Sequence, residues 1–145
     1  MCIRKATVVE LEYILEHSPT VMQEATMGYR KGNIITASEL MSQTLANNGY
    51  YLVFVEDRIN KGWLGVCDFY NLDSEEIQGM VVELYVFPEF RQQGIATRLL
   101  EYALKSMKEK GIKHVQLNVY SGNQAKRLYE ELGFHEVSTV MEKKL

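Results

Sequence analysis

The sequence predicts a mixed α/β (α+β) fold: a mostly antiparallel central sheet with helices packed on both faces. Three features carry that expectation. Residues 8–46 place apolar side chains at helical spacing, whereas residues 50–87 change to aromatic and β-branched runs broken by polar turns. The run Met80 to Phe87 is apolar on both sides, the pattern of a central strand covered above and below. An amphipathic run, Ile95 to Lys110, then leaves it through a tight polar turn, so a strand feeds directly into a helix.

In chain order, Ile3 to Ala6 predicts a short strand. Thr7-Val8-Val9-Glu10 has the capping-box form, and Val8, Leu11, Ile14 and Leu15 give a helical stripe. Ser18-Pro19 predicts the end of that helix and the start of a second one carrying Val21, Met22 and Ala25. Gly28 and Gly32 bracket a loop, and Thr36 to Glu39 repeats the capping-box form ahead of a helix ended by Asn47-Asn48-Gly49. Tyr50 to Val55, Trp63 to Tyr70 and Met80 to Phe87 predict a three-strand meander, with Asn71 to Gly79 as a polar loop. Pro88 lacks an N–H and should end the pairing. Gly111 suits the position after the Ile95–Lys110 helix. Val115, Leu117 and Val119 alternate with polar residues as a strand. Asn123 caps a last helix, Gly133-Phe134 closes it, and Val137 to Met141 predicts a final strand.

The 145 residues suffice for one domain, 1–145, with a real core. A net charge of -3 argues against a nucleic-acid or polybasic membrane binder. No apolar run reaches the roughly 20 residues of a membrane helix, and no signal sequence is visible. Two cysteines, Cys2 and Cys67, form no disulfide or zinc pattern, which fits a reducing cytoplasmic setting, and three histidines without ligand spacing predict no metal.

The chemistry begins at Val86-Phe87-Pro88-Glu89-Phe90-Arg91-Gln92-Gln93-Gly94-Ile95-Ala96. Unpaired N–H groups at a helix start, backed by the helix dipole, form a site for an anion such as phosphate, and a glycine lets the backbone approach it. On its own this turn also fits a nucleotide-phosphate binder, although no Gly-x-x-x-x-Gly-Lys-Ser/Thr run is present.

The segment Val86-x-Pro88-x-x-Arg91-Gln92-Gln93-Gly94-Ile95-Ala96 resembles the acyl-CoA signature of the GCN5-related N-acetyltransferases, with Ala96 at the commoner second glycine. Leu117-x-Val119-x-x-x-Asn123-x-Ala125-x-x-Leu128-Tyr129-x-x-x-Gly133-Phe134 is similar to its second half, in register over Glu83 to Phe134. The resemblance implies an N-acetyltransferase that moves an acetyl group from acetyl-CoA, its co-substrate, to a primary amine of a small molecule or peptide. A non-catalytic acyl-CoA-binding module on the same fold is the alternative. It implies a central sheet of about six to seven strands, splayed between the strand at 80–87 and the strand at 114–120, in a family whose members often form homodimers. The donor site implied is the backbone of Gln92, Gln93, Gly94, Ile95, Ala96 and Thr97 around the pyrophosphate, with Arg91 adding positive potential. Leu84, Tyr85 and Val86 would line the pantetheine arm, with the Val86 N–H near the thioester oxygen, and Asn123 would bind the same arm.

Aminolysis of a thioester also needs an acid for the leaving thiolate and a base for the amine, because a lysine-like amine with a pKa of about 10.4 is mostly protonated at pH 7. Tyr129 takes the family's acid position, and a core packing role is its structural counterpart. Glu83 is the only charge inside the Met80–Phe87 run, costly there unless paired or used, so it is the candidate base. His114, His135 or a water chain are left open for the same task. Cys67 would allow an acyl-cysteine route but lacks a neighbouring base. Asp68, Asp73, Glu75 and Glu76 would form an acidic rim for a cationic substrate, and Met22, Met27, Met41 and Tyr29 an acceptor wall, against solvated and core readings of the same residues.

Overall fold

A computed structural model describes all 145 residues, Met1–Leu145. Five strands, β1 (Cys2–Lys5), β2 (Tyr50–Glu56), β3 (Ile59–Asn71), β4 (Glu76–Val86) and β5 (Val115–Leu117), form one sheet in sequential order. Pairings through β4 are antiparallel; only β4–β5 is parallel. That single parallel pair needs a crossover, and α3 (Ile95–Glu109) supplies it. The other helices are α1 (Val8–Ala25), α2 (Ile34–Ala46) and α4 (Ala125–Glu131).

The alternation of side chains along each strand divides the core in two. Leu52, Phe54, Leu64, Val66 and Val81 face α3, whose Ile95, Leu99, Leu100, Ala103 and Met107 close the larger cluster. Tyr51, Val53 and Trp63 point the opposite way and meet Ile14 and Val21 of α1 and Met41 of α2. Helices therefore cover both faces, as the doubly apolar strand requires.

Local signals set several boundaries. Thr7 caps α1 by accepting from the Glu10 N–H, and Glu10 returns the bond to the Thr7 N–H. The β2–β3 hairpin turns on Asp57 and Arg58, both left-handed at φ 54 and 63, as a two-residue turn matching strand twist demands. Elsewhere the structure departs from the sequence reading. Ser18-Pro19 ends nothing: α1 runs through Pro19, because Ile14 and Val21 on either side are buried against the sheet. Tertiary burial outweighs a proline cost of about 3 kcal/mol. α2 starts at Ile34 rather than Thr36, since Asn33 accepts from the N–H groups of Ile35 and Thr36. The supposed loop from Asn71 to Gly79 is mostly strand, with β3 extended to Asn71 and β4 starting at Glu76. The Asn71 amide bonds Gln78 across the pair at 3.1 Å, giving buried Gln78 a polar partner.

The sheet holds five strands rather than six to seven. Val137 to Met141 forms no strand, and Val140 is 95% exposed; the tail is tied instead by Lys126 to Glu136 and by Tyr29 to Glu142. β5 pairs only over Val115–Leu117, so the strand expected at 114–120 is cut short.

Gly65 has no room for a side chain on the α1 face, where a Cβ would stand 2.5 Å from the buried Tyr51 ring. Gly65→Ala should lower stability by about 1–3 kcal/mol in urea unfolding, the usual cost of overpacking. A neutral result would mean that Tyr51 moves aside easily.

Candidate active site

The gap in the sheet follows from pairing that stops early. β5 matches β4 at Gly79↔Val115, Met80↔Gln116 and Val81↔Leu117, and β4 continues to Val86 without it. On the other side, the register steps from Val66↔Val81 to Gly65↔Glu83, leaving Val82 as an extra residue. Such a bulge bends and twists its strand, here at the point where β4 parts from β5. Beyond it, Trp63 stands opposite Tyr85 and the Phe87 N–H bonds Lys61 at 3.0 Å. Antiparallel alternation therefore turns the N–H groups of Tyr85 and Phe87 toward β3 and those of Leu84 and Val86 toward the gap.

The turn after β4 ends in a second set of open donors. Pro88–Phe90 makes one 3-10 turn, then Gln92 and Gly94 take left-handed φ of 63 and 78. Gly94 is the N-cap of α3 and offers no side chain, whereas α1 and α2 are capped by Thr7 and Asn33. The first turn of α3 also holds no acidic residue. Its leading N–H groups thus face outward uncapped, at the positive end of a 15-residue helix. A Cβ on Gly94 would meet nothing within 4 Å, so glycine serves the left-handed backbone and the space in front of the turn stays open.

The Arg91 side chain has partners of its own. Its Nε donates to the Val86 carbonyl at 2.8 Å, its Nη2 pairs with Glu24 at 2.7 Å, and its guanidinium lies 5.4 Å from the Tyr85 ring centre. Asn123 is similarly engaged: its amide donates to the Ala25 carbonyl at 3.0 Å and accepts from the Ala125 N–H at 2.9 Å. Both residues brace the C-terminal turn of α1 across the gap. Tyr129 lies on the α3 side, packed against the larger core cluster. The Phe134 N–H reaches the Tyr129 carbonyl, the Gly133 N–H reaches Glu130, and the Phe134 ring packs 6.1 Å from that of Tyr129. This helix closure fixes the tyrosine. Burial pushes its hydroxyl above the usual phenol range, and no hydrogen bond offsets that shift, so it stays an O–H donor at neutral pH.

Glu83 projects to the opposite face. Its Oε1 accepts from the Trp63 indole at 2.9 Å, and the Ser18 hydroxyl lies 3.2 Å from each carboxyl oxygen. No lysine or arginine pairs with it. Burial pushes its pKa up, only partly opposed by Trp63 and Ser18. Above Trp63 the rings of Tyr13, His17 and Phe87 pack edge to face, and that of Tyr85 packs at a tilt of 41°.

Comparison with known proteins supplies the lineage of this arrangement. Residues 16–134 match the acetyltransferase (GNAT) family. This chain belongs to that family. An N-alpha-acetyltransferase of Saccharolobus solfataricus is 38% identical over 78 residues, covering 52% of this chain and 47% of that protein. An N-alpha-acetyltransferase of Sulfurisphaera tokodaii is 28% identical over 140 residues, covering 95% and 82%. The N-acetyltransferase YycN of Bacillus subtilis, itself uncharacterized, is 29% identical over 85 residues, covering 58% and 53%, so the chain spans about half the length of some curated relatives. Among solved structures, a Pyrococcus furiosus protein described as an acetyl transferase superposes with a TM-score of 0.84 at 21% identity, over 99% of both chains. A Clostridium acetobutylicum protein solved with acetyl-CoA gives 0.78 at 17% identity, covering 99% of this chain and 95% of that one. These two likenesses speak for the fold alone.

Within this GNAT chain, the other residues singled out in the sequence lie elsewhere. Asp73, Glu75 and Glu76 sit at the β3–β4 hairpin, the far end of β4 from Val86, so these carboxylates form no rim around the gap. His114 pairs with Glu76 at 3.5 Å at that same end, and His135 is exposed beyond α4. Cys67 lines a cavity of about 330 Å³ there with Asp68 and Lys110, and burial raises its pKa, keeping it a thiol. Met41 is core, whereas Tyr29 stacks 5.8 Å from Tyr120 and Met27 lies beside Gly122, near the mouth of the gap. Sequence reading missed Ser18 and Trp63, whose partnership with Glu83 joins residues far apart in the chain.

The Glu83 carboxyl binds its proton more tightly in the native state than in the unfolded chain. Its contribution to stability is therefore full below an unfolded pKa of about 4.3 and is lost as pH rises through the folded value. Glu83→Gln removes that loss while keeping an acceptor for Trp63. The variant should be more stable than wild type near pH 8, with the advantage fading toward pH 4, in urea titrations. Lower stability at pH 8 would contradict a carboxylate without a cation here.

Proposed function

We propose that this protein transfers the acetyl group of acetyl-CoA to a primary amine of a small molecule or peptide by direct attack. The observation that carries this reading is the convergence of two sets of open backbone donors, those of Leu84 and Val86 and those at the start of α3. The uncapped amides from Gln92 to Thr97 suit a pyrophosphate, each helix-end contribution being about 0.3–1 kcal/mol, so affinity is spread over several donors. Leu84 and Val86 would pair with the amide-bearing arm as a strand does. Tyr85 contributes through its ring, since its N–H faces β3. Arg91 and Asn123 would act from the braces they make with α1, Asn123 beside the arm and Arg91 below the turn.

In this scheme Glu83 takes a proton from the acceptor ammonium, directly or through water, and later releases it to solvent. The neutral amine attacks the thioester carbon, and the Val86 N–H receives the developing negative charge. The carbon–sulfur bond breaks as Tyr129 gives its proton to the departing thiolate; the tyrosinate recovers one from the nitrogen of the new amide. A peptide α-amine, with a pKa of about 8, asks less of the base than a lysine does. That chemistry and the relatives named N-alpha-acetyltransferases both support peptide N-termini as the first acceptors to test. Two unpaired cysteines fit a reducing cytoplasmic setting.

The test is acetyl-CoA-dependent thiol release across peptide N-termini, polyamines, amino acids and aminoglycosides. Turnover on at least one amine is expected, and Tyr129→Phe should lower kcat by about 10²-fold or more with acetyl-CoA affinity nearly unchanged. Binding of acetyl-CoA with no turnover on any amine would favour a non-catalytic module.

A further inference from the structure

The hydrogen inventory around Glu83 does not close in one arrangement. The Ser18 hydroxyl is 2.9 Å from the Ile14 carbonyl and 3.2 Å from each Glu83 oxygen. It carries one hydrogen for three acceptors. If that hydrogen goes to Ile14, a common bond for a serine inside a helix, the Ser18 oxygen presents lone pairs to Glu83. A carboxylate there would be repelled, whereas a carboxylic acid would donate its own hydrogen to Ser18. If instead the hydroxyl turns to Glu83, it joins Trp63 as a second donor to a carboxylate. Each arrangement satisfies Glu83 in one protonation state, and only a hydroxyl rotation separates them.

We propose that Ser18 is a positioning residue for Glu83, reversing the direction of their shared hydrogen bond each time Glu83 gains or loses a proton. The inference rests on the reading of Glu83 as the base. When Glu83 accepts the substrate proton, the new O–H donates to Ser18 and the Ser18 hydrogen swings to Ile14. When Glu83 releases it, the swing reverses. A buried carboxyl without a cation thereby changes charge with no heavy atom displaced. No lysine, arginine or second carboxylate pairs with Glu83; the groups that face it are His17 beside Ser18 on α1, Tyr51 on β2, Trp63 on β3 and Tyr85 on β4, whereas α2 packs Met41 and Thr44. Tyr51 is held above the usual phenol range by burial first and by Glu83 second, so it stays neutral through the range in which Glu83 titrates.

The experiment follows Glu83 itself, by carboxyl carbon NMR titration of the full chain with Glu83→Gln to assign the signal. Because the ionised form gains more from a donor than the acid gains from an acceptor, Ser18→Ala should raise the Glu83 midpoint by about 0.5–1 pH unit. The acidic limb of kcat/KM should move by the same amount, and Ser18→Thr should restore both. Ser18→Cys, a weak donor of similar size, should shift the midpoint the same way should the alanine variant unfold. An unchanged midpoint in Ser18→Ala or Ser18→Cys overturns the inference, even if Glu83→Gln abolishes turnover. Full turnover by Glu83→Gln instead overturns the base reading, whatever Ser18 does to the titration.

Discussion

The structure turns on one interruption: β4 loses β5 after Val81 and runs on to Val86 with a bare edge. Backbone donors left unpaired inside a protein are costly, so a sheet normally closes such an edge or covers it. Here the bulge at Val82 twists β4 away, Pro88 stops further pairing, and Gly94 starts α3 without a cap. Three independent devices leave open donors around one gap. The core tolerates this because the remaining length of β4 is paired with β3 and packed between α3 and the α1–α2 layer.

The two faces of the sheet divide the work. On the α3 face Tyr129 is fixed by the closure of its own helix and remains a proton donor. On the α1 face Glu83 sits beneath an aromatic layer with Trp63 and Ser18 as its polar neighbours. The proposed acid and the proposed base thus lie on opposite sides of β4, where they cannot neutralise each other by direct contact. The α1 helix joins the halves, since Glu24 and Ala25 at its end hold Arg91 and Asn123, one polar side chain from each half of the motif.

What could be read from the sequence was local. Thr7-to-Glu10 and Gly133-Phe134 act through backbone geometry within one turn, and the structure uses both as their patterns imply. The layered α/β architecture was equally legible, because period changes report burial. Features set by distant contacts were not. Pro19 stays helical through packing against the sheet, and Glu76 to Gly79 become strand by pairing with β3, where the Asn71 amide donates to Gln78. Val137 to Met141 alternates like a strand but finds no edge. At the site, Glu83 was conspicuous as a lone charge, yet its partners Trp63 and Ser18 lie 20 and 65 residues away. Arg91 read as a phosphate ligand by position, whereas Glu24 and the Val86 carbonyl take its guanidinium.

The central claim is that these open backbone donors hold the acetyl donor. Amide chemical shifts followed during titration with CoA test it most directly. The account predicts that the largest shifts fall on Leu84, Val86 and Gln92 to Thr97, with the amides lining the cavity at Cys67 and Lys110 unmoved. Saturable shifts confined to that cavity, with the β4 edge and the start of α3 silent, would contradict it.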